Sequence, residues 1–107
     1  MIQEIQKQLA ELIQENNKGS TALFEAEKAL AEAEYELDTA ESKAFIRSSG
    51  TVADRQALAR LESADARLQR DLKRAELSRI KQKIKSIETA SMVLATQAKL
   101  MNQESRM

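Results

Sequence analysis

The chain has 107 residues with 17 bases and 17 acids, no Pro, Cys or His, two Gly, and three aromatics at Phe24, Tyr35 and Phe45. Strong helix formers dominate almost every window, which excludes β-rich and disulfide-framed folds and leaves an all-α chain with a narrow seam instead of a thick core. Without His or Cys there is no Ser/His or Cys/His nucleophile, no histidine-based zinc site and no thiolate chemistry, so a non-enzymatic protein with no cofactor and no metal is expected.

The zero net charge conceals a division. Residues 1–47 carry ten acids and five bases, whereas residues 48–107 carry seven acids and twelve bases. No apolar run approaches the ~18 residues of a membrane span, and polar residues interrupt the start at Gln3, Glu4, Gln6, Lys7 and Gln8. A cytoplasmic protein without membrane attachment is the expectation.

The first arm, residues 2–47, holds one heptad register from Ile2 to Ala44. Its a positions are Ile2, Leu9, Asn16, Leu23, Leu30, Leu37 and Ala44; its d positions are Ile5, Leu12, Gly19, Ala26, Ala33 and Ala40. The alanines at d suit close antiparallel pairing. Asn16 at an a position either fixes register or marks a wet notch beside Gly19. Residues 16–21, Asn-Asn-Lys-Gly-Ser-Thr, have loop composition, yet the heptad phase is the same on both sides. A continuous but weakened helix is expected, with a hinge as the alternative.

Residues 48–51, Ser-Ser-Gly-Thr, form the one strong interior turn signal, at the middle of the chain. Gly50 suits a left-handed residue after the first helix, and Thr51 with Asp54 three residues later reads as a shortened capping box. The second arm, residues 52–101, shows apolar residues at Leu58, Leu61, Leu68, Leu72 and Ala75, then at Leu77, Ile80, Ile84, Ile87, Leu94, Ala98 and Met101. The two sets imply a phase slip near Glu76, and a bend or a boundary between packing regions at that level. Residues 102–107 lose the pattern and read as a frayed tail.

Folding at the turn predicts one elongated domain, a long antiparallel helical hairpin of coiled-coil type. In that alignment Leu12 faces Ile87, Ile5 faces Leu94 and Gly19 faces Ile80. The self-association seam is predicted from Leu9, Leu12, Asn16, Gly19, Leu23, Leu30, Leu37, Leu68, Leu72, Ile80, Ile84 and Ile87. Apolar residues off this seam, including Ile13, Phe24, Tyr35, Ile46 and Val93, point to a homo-oligomer, a dimer or a larger bundle.

Carboxylates at Glu32/Glu36 and Glu34/Asp38 lie four apart on one helix face, but they flank the seam and read as a solvated acidic face. The basic stretch from Arg67 to Lys85 carries a net charge of +6. Its spacing sets Arg67, Arg70 and Arg74 on one face and Lys81 and Lys85 on a neighbouring one. Such a stripe can pair internally with the acidic arm, follow a nucleic-acid backbone, or meet an acidic protein. No aromatic lies among these bases to stack on nucleobases, which favours internal pairing.

Gly50-Thr51-Val52-Ala53-Asp54-Arg55-Gln56-Ala57, followed by Leu61-Glu62-Ser63-Ala64 and an Arg/Lys/Ile-rich helix to Ile87, resembles short uncharacterised proteins of tailed bacteriophages encoded among early or recombination genes. The resemblance covers residues 44–90. It implies a small phage accessory protein that binds a protein partner or assists DNA replication or recombination, and it assigns no functional residue.

Overall fold

Within residues 1–105, the part described in the computed structural model, the chain forms three helices and no strand: α1 Ile2–Arg47, α2 Val52–Glu62 and α3 Ala64–Ser105. The fold is all-α, a helical hairpin in which α2 and α3 return antiparallel to α1. α1 runs through residues 16–21 without a break. Ser20 Oγ donates to the Asn16 carbonyl at 3.2 Å and Thr21 Oγ1 to the Asn17 carbonyl at 3.4 Å, so both hydroxyls are satisfied inside the helix and do not open a loop.

The reversal is built as the capping chemistry requires. Gly50 has φ 109°, a backbone conformation that a Cβ disfavours. Thr51, extended at φ −70° and ψ 163°, accepts a hydrogen bond at Oγ1 from the Asp54 backbone N–H at 3.1 Å. The C-terminal carbonyls of α1 are closed from the other side: the Phe45 carbonyl accepts from Ser48 Oγ at 2.8 Å and from Arg55 Nη2 at 3.0 Å. The Arg55 guanidinium also lies 4.3 Å over the Phe45 ring.

The chain divides into two compact units, one of Met1–Phe24 with Arg79–Met107 and one of Glu25–Ser78. The sequence reading expects a single domain, with a packing boundary near Gly19–Leu23 and Glu76. The division falls beside those levels. The frayed tail expected from residue 102 is helical through Ser105, and its remaining two residues lie outside the described part.

In the first unit, Ile5 and Ile87 are buried, and Ile2, Leu9, Leu12, Leu23, Ile80, Ile84, Leu94 and Met101 are half-buried. The register differs from the expected one. An added Cβ on Gly19 would lie 3.0 Å from Ile84 Cγ1, so Gly19 faces Ile84, four residues beyond the expected Ile80.

In the second unit the core is Ala26, Ala33, Leu37, Ala44, Ala59 and Leu77, with Ser63 the one buried polar residue. Here the sequence reading needs its largest correction. Leu68 and Leu72, predicted on the seam, are exposed at 55% and 49%, as are Leu58 and Leu61 of the same apolar repeat, at 39% and 73%. The residues turned inward instead are Ala59, Ser63, Ala66, Arg70, Lys73 and Leu77, which are buried or half-buried. These continue at spacings of four and three into Ile80, Ile84 and Ile87, so the second arm keeps one phase and the slip near Glu76 does not occur. Small residues win the seam because alanines on α1 face it. Two helix surfaces of Ala and Ser pack closely, whereas a leucine row against Ala33 and Ala40 would hold the axes apart. Further along, Arg70 and Lys73 lay their aliphatic stems inward and keep their charged ends in solvent.

Ser63 separates α2 from α3. Its Oγ donates to the Ala59 carbonyl at 2.7 Å, and its backbone, at φ −94° and ψ 10°, leaves helical values locally. The backbone bonds from Ser63 N to Ala59 O and from Arg67 N to Ser63 O, at 3.1 and 3.0 Å, carry the helical pattern across.

Candidate functional site

The five bases proposed for nucleic acid divide between the two units. Arg67, Arg70 and Arg74 lie in the second unit and each is engaged. Arg67 Nη2 donates to Glu41 Oε1 at 2.8 Å and to Ser63 Oγ at 3.2 Å, and Nη1 to the Arg60 carbonyl at 3.2 Å. Arg74 pairs with Glu34 at 3.7 Å, and Arg70 with Asp71 at 2.8 Å. Arg67 and Arg74, seven residues apart, therefore both reach across to acids on α1. Each exposed pair contributes at most about 1 kcal/mol, but together they turn the positive row toward the acidic helix. Lys81 and Lys85, in the first unit, are exposed and form no ion pair among the described residues.

Of the predicted seam residues, Leu37 and Ile87 are buried, and Leu9, Leu12, Asn16, Gly19, Leu23, Leu30, Ile80 and Ile84 are half-buried. Leu68 and Leu72 stand on the outer face. The Asn16 side chain makes no hydrogen bond among the described residues, and only its carbonyl is used, by Ser20. Sequence reasoning misses Ala59, Ser63, Ala66, Arg70 and Lys73 as seam positions because it weighs them by hydrophobicity. The signal that finds them is spacing: counting back in fours and threes from Ile80 through Leu77 reaches each of them.

The carboxylates Glu32, Glu34, Glu36 and Asp38 are all exposed, and among the described residues no group of three or more His, Cys, Asp or Glu could hold a metal ion. A depression of about 910 Å³ in the second unit is an open groove near the turn between Phe45 and Ile46 on α1 and Ala53, Gln56 and Ala57 on α2. The Glu41–Arg67 pair forms part of its lining, and it presents no buried polar atom that lacks a partner. Among the described residues no helix is long and apolar enough to cross a membrane.

The surface is richer in large apolar side chains than the interior. Among the described residues, Met1, Ile13, Phe24, Tyr35, Ile46, Val52, Leu58, Leu61, Leu68, Leu72, Met92, Val93 and Leu100 are exposed, against a buried core whose only residues larger than Ala or Ser are Ile5, Leu37, Leu77 and Ile87. No family model matches the chain, and neither a curated protein nor a solved structure matches it.

Proposed function

We propose that this chain is a non-enzymatic coiled-coil interaction protein that works by binding a protein partner and also associates with itself. The observation that carries the reading is the imbalance between the thin seam and the thirteen large apolar side chains left exposed among the described residues. Apolar surface of this extent is costly in water and is the usual material of protein interfaces. A role as a cytoplasmic phage accessory protein rests on the resemblance of residues 44–90 alone.

Sedimentation equilibrium over a hundredfold range of concentration tests the self-association. A chain that remains monomeric throughout counts against that part of the reading. The alternative is a nucleic-acid-binding accessory in DNA replication or recombination that uses Arg67, Arg70, Arg74, Lys81 and Lys85; the ion pairs of the three arginines compete with it, and Lys81 and Lys85 are exposed. Titration with single- and double-stranded DNA at two salt concentrations decides it. Binding that falls steeply with salt and disappears when these five bases become Ala would favour the alternative.

A further inference from the structure

We infer that the outer face of α2 and the start of α3, in the second unit, is a docking surface for a basic amphipathic helix of another protein. The inference rests on the reading that the chain acts by protein contact, and it adds the chemistry of the partner. Leu58, Leu61, Leu68 and Leu72 are all exposed and lie at intervals of three, seven and four, with Asp65 in the place where a fifth apolar residue would complete the row. This is a second heptad stripe on the side of the helix away from the seam, roughly 20 Å long. Its length matches about four turns of a partner helix laid along it.

The charged residues at the helix positions that flank the stripe are acids. Glu62 and Glu76 flank it on one edge and Asp71 on the other, and Asp65 sits within it. Of the bases in the same stretch, Arg67 and Arg74 reach α1, where Glu41 and Glu34 pair with them, whereas Arg70 and Lys73 pair with Asp71 and Glu76 beside the stripe. Asp65 forms no ion pair among the described residues. Glu62, Asp71 and Glu76 meet Arg47, Arg70 and Lys73 in pairs whose carboxylates remain about half exposed, at 45%, 54% and 61%. Incoming lysines or arginines can therefore add to them without first breaking a buried contact.

A second copy is a poor occupant of this stripe. Self-pairing would press Asp65 against leucines and bring the carboxylate edges of the two copies together, each of which is unfavourable. Asp65, the carboxylate within the row that has no ion pair among the described residues, disfavours a nucleic-acid or anionic membrane surface there. A helix with leucines on one face and basic residues beside them meets both the apolar row and its edges.

The test uses the 107-residue chain and a fluorescent synthetic peptide of roughly 18 residues, enough to cover the stripe, with Leu at heptad a and d and Lys at e and g. The lysine peptide is expected to bind, and the same peptide with Glu for Lys is not. The double variant Leu61→Ser/Leu68→Ser weakens binding about tenfold or more, as does Asp65→Lys/Glu76→Lys, while Leu100→Ser, an exposed leucine of the first unit, leaves it unchanged. Circular dichroism checks that each variant keeps its helix content. Equal binding to the double serine variant, or equal binding of the glutamate peptide, overturns the inference. Sedimentation of the same proteins separates this failure from that of the broader reading. If the wild-type chain dimerises and Leu61→Ser/Leu68→Ser makes it monomeric, the occupant is a second copy, and the inference falls while protein contact survives. If the chain neither binds the peptide nor self-associates, both fall.

Discussion

Leu77→Ala and Leu68→Ala make the same chemical change on the same helix, nine residues apart, and the structure predicts very different costs. Leu77 is 9% exposed and packs in the seam of the second unit, whereas Leu68 is 55% exposed on the outer face. Helix propensity changes equally at both sites, so it cancels in the comparison. Removing a buried leucine side chain costs about 2–5 kcal/mol, and the lower half of that range is expected for Leu77 in a unit whose buried residues are mostly alanines. Removing Leu68 loses only the contacts of its inner half, roughly 0.5–1 kcal/mol. A difference near 2 kcal/mol corresponds to a gap of roughly 8–16 °C in midpoint for a chain of this size. Thermal and urea unfolding followed at 222 nm measure it. Repeating both at two protein concentrations tenfold apart removes any share of Leu68 that comes from contacts between molecules. If Leu68→Ala loses as much as Leu77→Ala at both concentrations, the phase of α3 is wrong and the leucines form the seam.

Three further outcomes follow from the turn and from the one glycine within a helix. Gly50→Ala, at φ 109°, destabilises the hairpin by about 1–3 kcal/mol in urea unfolding, and an unchanged midpoint would deny the positive φ. Thr51→Ala removes the acceptor for the Asp54 N–H and costs about 1 kcal/mol, while Thr51→Ser, which keeps the hydroxyl, stays near wild type; equal losses would show that the cap is not used. Gly19→Ala gains about 1 kcal/mol of helix propensity, but its new methyl meets Ile84 Cγ1 at 3.0 Å and most of the gain is lost. In an Ile84→Ala background the gain returns, so the double-mutant cycle shows coupling of about 1 kcal/mol, and additive effects would place another residue opposite Gly19.

Much of the fold is legible in the residues themselves. Helix content follows from the abundance of good helix formers and the absence of Pro. The first arm's seam follows from a heptad phase that continues through residues 16–21, and the reversal from Gly50 and Thr51. Each of these depends on local backbone preference or on spacing along one helix. The seam of the second arm within the second unit was not legible by hydrophobicity, because Leu58, Leu61, Leu68 and Leu72 make a more apolar row than Ala59, Ser63, Ala66, Arg70 and Lys73. Either row, taken alone, is a plausible helix face.

The stagger, the inward face of α2 and α3, and the direction of the basic row were decided by tertiary structure. One helix cannot specify them, since each depends on what stands across the seam. Alanines at 26, 33, 40 and 44 accept only small partners at close approach, and Glu34 and Glu41 on α1 pair with Arg74 and Arg67 across the two helices. With the arginines held there, the leucines and carboxylates are left together on the outer face. The residues were present in the sequence from the start, but which of them share a surface was set by the packing of one helix against the other.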